Sequence, residues 1–154
     1  MIDISHIQNL LDLCWPTFVE IDRAVFLADV LPPSGIELHS FSDRTDAEAF
    51  YNHVHIAEHL TVNPLSSQTP YSLNAPIPAA SIPILQAIAR SVVDMWRTKL
   101  HRDFPHYQFR LYLTLEHEPI IRFHMLRNDE AAWLNQADWQ QQLANGTLCI
   151  VDTQ

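Results

Sequence analysis

Residues 108–125 read QFRLYLTLEHEPIIRFHM. Phe109, Leu111, Leu113 and Leu115 alternate with Gln108, Arg110, Tyr112 and Thr114. Beyond Glu116-His117-Glu118-Pro119, Ile121, Phe123 and Met125 alternate with Arg122 and His124. A period of two on both sides of a polar, proline-ended break predicts an antiparallel hairpin, 107–115 with 120–127, one face in a core and the other wet. A two-residue loop would set Leu113 against Arg122. A longer loop keeps both apolar sets on one side and is the expected one.

The flanking chain supplies what this hairpin packs against. Ser81 can cap a helix in which Leu85, Ile88, Val92, Trp96 and Leu100 recur at spacings of three and four, running to about Asp103 before Phe104-Pro105 stops it. Ile7, Leu10, Leu11 and Cys14 predict a short amphipathic helix ahead of Pro16. Thr17 to Leu27 has strand composition around a polar Glu20-Ile21-Asp22-Arg23 centre, which gives one strand or a hairpin turning near Asp22. Asp43 or Thr45 can cap a helix to about Leu60, with Asp46 and Glu48 in its first turn, where the helix dipole favours acids. From Thr61 to Ser81 the prolines Pro64, Pro70, Pro76 and Pro78 mark a long irregular segment, a functional loop or a plain connection. Asn135 can cap a helix bearing Trp139 and Leu143 that Asn145-Gly146 closes, and Thr147 to Asp152, apolar on both parities, reads as an interior strand. The expectation is a single α+β domain over residues 1–154. Its antiparallel sheet, made of the N-terminal strand or hairpin, the 107–115/120–127 hairpin and the C-terminal strand, packs against two or three main helices.

Composition narrows the function classes. The chain has 154 residues, 47% of them hydrophobic, enough for a core without disulfide or metal staples. Cys14 and Cys149 sit in separate apolar runs without C-x-x-C spacing and read as reduced thiols. With no basic leader before the first apolar run and no membrane-length segment, the expected location is cytoplasmic. Gly35 and Gly146 are the whole glycine content, so glycine-rich dinucleotide and phosphate loops and the G-x-S-x-G elbow are excluded. Net charge is −9, of which residues 1–80, with ten acids against Arg23 and Arg44, carry −8. Such a field repels nucleic-acid backbones and attracts basic proteins. The expected partner is therefore a basic protein, with no nucleic acid, no membrane and no cofactor.

Three constellations stand out. In YNHVHIAEHL, residues 51–60, a helical wheel at 100° per residue puts Glu48, Asn52, His55 and His59 in a polar sector, and His53 in the apolar arc as a core residue. Residues four apart stack on one face, and zinc accepts two imidazoles with a carboxylate, so His55 and His59 can hold a metal. Glu48 would be a third ligand only with bending, and Glu116, Glu118 and Glu130 are alternatives by distance alone. Arg110, Tyr112, Arg122 and His124 mark the wet hairpin face, read as cross-strand pairs rather than a stacking platform. Trp133 and Trp139 either close the core edge or anchor a partner.

His55-x-x-Glu58-His59 resembles the inverzincin metallopeptidase motif, in which the three positions are ligand, general base and ligand. As a whole, the chain resembles small acidic single-domain bacterial proteins that include immunity proteins of toxin systems. That likeness rests on size, charge and the runs WPTFVEIDRAVFL, YNHVHIAEHL and DMWRTKLHRDFP. It implies a non-catalytic, protein-binding module, an immunity or inhibitor protein neutralising a basic partner. The partner-binding candidates are Asp43, Asp46, Glu48, His55 and His59. The alternative is a metal-dependent hydrolase using His55, Glu58 and His59.

Overall fold

The computed structural model describes residues 4–60, 77–116, 118–134 and 136–153. The hairpin pairs β4 (Phe109–Thr114) with β5 (Ile120–Met125), Leu111 opposite Phe123 and Leu113 opposite Ile121, so the register is the one that requires a connection longer than two residues. Register and patterning agree, so Phe109, Leu111, Leu113, Ile121 and Phe123 all face one core. The long helix α4 (Ile82–Asp103) covers it with Val92, Val93, Trp96 and Leu100. The helix α1 (Ile4–Cys14) contributes Leu13, whose carbonyl accepts from Trp96 Nε1 at 2.7 Å, whereas Leu10 and Leu11 of its expected apolar face stay exposed. Phe18, Trp96 and Phe123 meet edge to face with centroids 5.4, 6.0 and 6.1 Å apart. Each buried side chain of this size contributes roughly 1.5–3 kcal/mol.

The N-terminal segment is a hairpin, β1 (Phe18–Ile21) with β2 (Ala24–Leu27), turning at Asp22 and Arg23. Both turn residues have left-handed backbone, φ 49° and 65°, the twist that matches a two-residue hairpin loop but that usually calls for Asn or Gly. Two arginines hold the turn: Arg44 Nε donates to Asp22 O at 2.9 Å and Arg127 Nη2 to Arg23 O at 2.8 Å. This hairpin is a separate two-stranded sheet. The second sheet has the order β3-β5-β4-β6, where β3 is His53–His55 and β6 is Leu148–Asp152. The C-terminal strand thus lies at an edge and not in the interior; of its apolar run Leu148 is buried while Cys149, Ile150 and Val151 stay half-buried. Helix α5 (Gln136–Ala144) packs beside it, and its expected cap Asn135 falls outside the described residues, as do residues 61–76 of the proline-rich segment.

The largest departure concerns residues 43–60. Asp43 does cap a helix, its Oδ1 accepting from Asp46 N–H at 2.8 Å, but this helix, α2, is only Arg44–Tyr51. The chain then forms β3 and a five-residue helix, α3 (Ile56–Leu60). Asn52, Val54 and Ile56 are buried while His53 and His55 are half-exposed, a period of two where a period of 3.6 is expected. Asn52 breaks the helix because its side chain is needed elsewhere: Oδ1 accepts from Leu27 N–H at 2.9 Å and Nδ2 donates to Val25 O at 2.7 Å and to Phe123 O at 3.5 Å.

One turn earlier, Glu48 completes the same joint. Its Oε1 accepts from Val25 N–H at 2.7 Å and Arg127 Nη2 at 2.9 Å; its Oε2 accepts from Met125 N–H at 2.9 Å and Arg127 Nη1 at 2.8 Å. The facing edges of β2 and β5 are therefore joined by two side chains of the 44–52 segment in place of a backbone ladder. We expect Glu48→Gln to cost about 3–5 kcal/mol, because it removes the carboxylate that both arms of the Arg127 guanidinium hold, leaving only the more distant Glu130, and turns an amide NH₂ towards buried donors. Urea unfolding would show a lowered midpoint with an unchanged slope. Glu48→Met combined with Arg127→Met should regain part of the loss, the remainder reflecting the orphaned Val25 and Met125 N–H groups.

Candidate functional site

The five partner-binding candidates do not share one surface. Glu48 has no exposed surface, so the polar sector assigned to it does not exist and it cannot meet a partner. Burial raises its pKa, against the opposing pull of Arg127 and the two N–H groups; with four donors on its two oxygens, the carboxylate is the form the joint accommodates. Glu130 extends the network, accepting from Thr45 N–H and Thr45 Oγ1, both at 2.9 Å, with Arg44 Nη1 at 3.4 Å. Burial opposes its ionisation, but the Thr45 hydrogen bonds and the charge of Arg127 outweigh it and hold its pKa below the ordinary value. Asp43 and Asp46 are half-buried at the start of α2, and Asp43 lines an open cleft of about 690 Å³ with Asp22, Arg23, His39 and Phe41.

The H-x-x-E-H string is divided between two elements. His55 ends β3, with Nδ1 3.0 Å from Glu118 Oε2, while His59 lies exposed on α3 at the rim of another crevice. The common helix face that would have brought the two imidazoles to one metal is absent. His53, expected in the core, is half-exposed, and its Nδ1 lies 2.8 Å from Phe50 O. Among the described residues, no group of three or more histidine, cysteine, aspartate or glutamate side chains is gathered in a metal-holding arrangement. The crevice beside His59, about 130 Å³, has Leu13, Leu27, Val54 and Trp96 in its walls and the exposed carboxylates of Asp12 and Asp29 at its rim.

Basic and acidic side chains differ in how many are paired. Arg44, Arg97, Lys99, Arg102, Arg110 and Arg127 all pair with carboxylates. Arg122 donates to Ala49 O at 2.8 Å and lies 4.2 Å from the centre of the Trp133 ring. Asp12, Asp22, Asp29, Glu116 and Asp129, in contrast, are exposed without a basic side chain in salt-bridge range among the described residues.

The face of the hairpin expected to be wet is covered. Tyr112 and His124 are buried, and Trp133 stands edge-on to Tyr112 at 5.4 Å. His124 Nδ1 is 2.9 Å from Met125 O, an acceptor, so Nδ1 carries the proton. Nε2 then accepts from Tyr112 O–H at 3.0 Å and from Trp133 N–H at 3.4 Å. Trp133 therefore lies over a surface that alternation alone marks as solvent-facing.

A family model matches residues 3–145. The chain belongs to the Uncharacterized protein PM0498 family. Neither a curated protein nor a solved structure matches it. The span shared with the family takes in the Glu48 joint, β3 and the His124 cluster, and stops short of β6.

His124 gives the molecule an acid limit. Burial lowers its pKa from 6.5, the Met125 carbonyl opposing, with Arg110 and Arg127 adding to the lowering and Asp152 resisting it. Well above 6.5 the imidazole is neutral in folded and unfolded chains alike, and the cluster contributes in full. As pH falls through 6.5 the unfolded chain takes up the proton first, and stability is lost until the lower folded value is passed. Urea midpoints should fall over this window, and His124→Gln, which keeps an acceptor for Tyr112, should flatten the decline.

Proposed function

We propose that the chain is a non-catalytic protein-binding module that recognises a basic partner, as an immunity or inhibitor protein occluding a basic enzyme in the cytoplasm would. The observation that carries this reading is the sorting of charge. Most basic side chains are engaged within the molecule, while carboxylates in both halves of the chain face solvent with no basic side chain in salt-bridge range among the described residues. Such a surface speeds encounter with a basic protein and repels phosphate backbones. One anchor point is the crevice bordered by Asp12, Asp29 and His59. A lysine or arginine can lay its aliphatic stem against Leu13, Leu27 and Trp96 and bring its charged head to the two carboxylates. Asp43, at the 690 Å³ cleft, and Asp46 beside it on α2 offer a second contact region.

The hydrolase reading draws no support from this arrangement, because His55 and His59 belong to different elements and face different neighbours. Capture on the immobilised chain from lysate of the source cells, followed by purification of the captured protein, tests the binding reading. A basic partner is expected, whose association slows about tenfold or more in Asp12→Asn/Asp29→Asn and at high salt. A partner that is acidic, or whose binding ignores both salt and these substitutions, would overturn it.

A further inference from the structure

The two histidines that matter together are separated by one residue, not by three. His53 and His55 lie at alternate positions of β3, so both side chains leave the same side of the sheet, opposite the buried Val54. Their ring centroids are 5.5 Å apart with planes at 70°. With Zn–N bonds of about 2.0–2.1 Å and about 1.1 Å more to the ring centre, two imidazoles on one tetrahedral ion have centroids about 5.2 Å apart. The observed spacing is close to that value.

Each ring is also tethered in the manner of a metal ligand. His53 Nδ1 lies 2.8 Å from the Phe50 carbonyl and His55 Nδ1 lies 3.0 Å from the Glu118 carboxylate. Both partners are acceptors, so both Nδ1 atoms carry the proton and both Nε2 lone pairs are left to bind. A carbonyl or carboxylate on the far ring nitrogen is the usual outer-shell partner of a metal-bound imidazole, fixing its tautomer and raising its basicity.

The backbone beneath the pair is fixed. His53, Val54 and His55 pair with Arg122, Ile121 and Ile120, Asn52 O accepts from Phe123 N–H at 3.3 Å, and Ile56 N–H donates to Pro119 O at 3.0 Å. The nearest cation by register is Arg122, opposite His53, and its guanidinium is turned to Ala49 O and the Trp133 ring. Glu118 supplies a negative charge on the other side of the pair.

We infer that His53 and His55 form a two-histidine site for a divalent transition-metal ion, zinc or a neighbour of similar imidazole preference, oriented by Phe50 O and Glu118. No third protein ligand joins them among the described residues, and the ion's other positions can be taken by water or by a donor from outside. The site is independent of the acidic crevice and of any protein partner.

The test uses the full chain without a histidine tag, titrated with ZnCl₂ by calorimetry and followed by nitrogen-15 spectra of the imidazoles. A single equivalent should bind, with the Nε2 signals of His53 and His55 shifted and their Nδ1 protons retained. His53→Ala and His55→Ala should each weaken binding by at least about tenfold, since a ligand matters no less than its outer-shell partner, and Glu118→Ala by about tenfold. His59→Ala should leave it unchanged. Equal zinc affinity in the wild type and the His53→Ala/His55→Ala double variant would overturn the inference, as would Nε2 shifts confined to other histidines. Because the spectral readout needs only the unsubstituted chain, it decides the matter even if a variant fails to fold.

Discussion

A single carboxylate holds the two sheets in register. Glu48 lies between the edges of β2 and β5, taking an N–H from each and both arms of one guanidinium. A charge with no exposed surface survives only when every lone pair is met, and here Arg127 is recruited to meet them. That recruitment has further effects. The same guanidinium reaches Arg23 O and steadies a turn whose two residues both have positive φ, and Arg127 also lies 3.5 Å from Glu130, which fastens the start of α2 through Thr45. The hairpin turn, the helix start and the strand end at Met125 are thus parts of one electrostatic arrangement.

The core was readable because its signals are long. Alternation across 108–125 and the spacing of three and four across 85–100 each repeat several times, and both elements appear where those repeats place them. Residues 43–60 depart from the single expected helix because short elements in succession imitate one. A three-residue strand offers one cycle of alternation, too little to outweigh an N-cap and an acidic first turn. Asn52 is the available sign: an asparagine between Tyr51 and the H-V-H-I run suits a helix end better than a helix interior. Glu48 was placed at the surface because acids are seldom buried without a partner, and its partner lies 79 positions away in sequence. Leu148 to Val151 looked interior because they are apolar on both parities, but a neighbouring helix can shield an edge strand as well as another strand can. The hairpin's outer face looked wet because nothing in its alternation announces that Trp133 will return over it.

The histidines follow the same lesson. A wheel drawn through 47–60 pairs His55 with His59 and sends His53 inward. Once the chain is extended from His53 to His55, the pairing changes and His53 comes outward beside His55. What was legible was the concentration of imidazoles; their geometry depended on a backbone conformation set by tertiary partners, Ile120 to Arg122, far along the chain.

The absence of a backbone ladder between the N-terminal hairpin and the four-stranded sheet bears on how the molecule assembles. The two hairpins, β1 with β2 and β4 with β5, can acquire their hydrogen bonds from close neighbours in sequence, whereas β3 and β6 join the second sheet from farther along the chain. The Glu48 joint is different, closing spans of 23 residues to Val25 and 77 to Met125 at once. Loops of that size carry a large closure entropy, and the ionic partners lose water only when all are in place. The joint therefore ties two locally connected hairpins together through contacts that are distant in sequence.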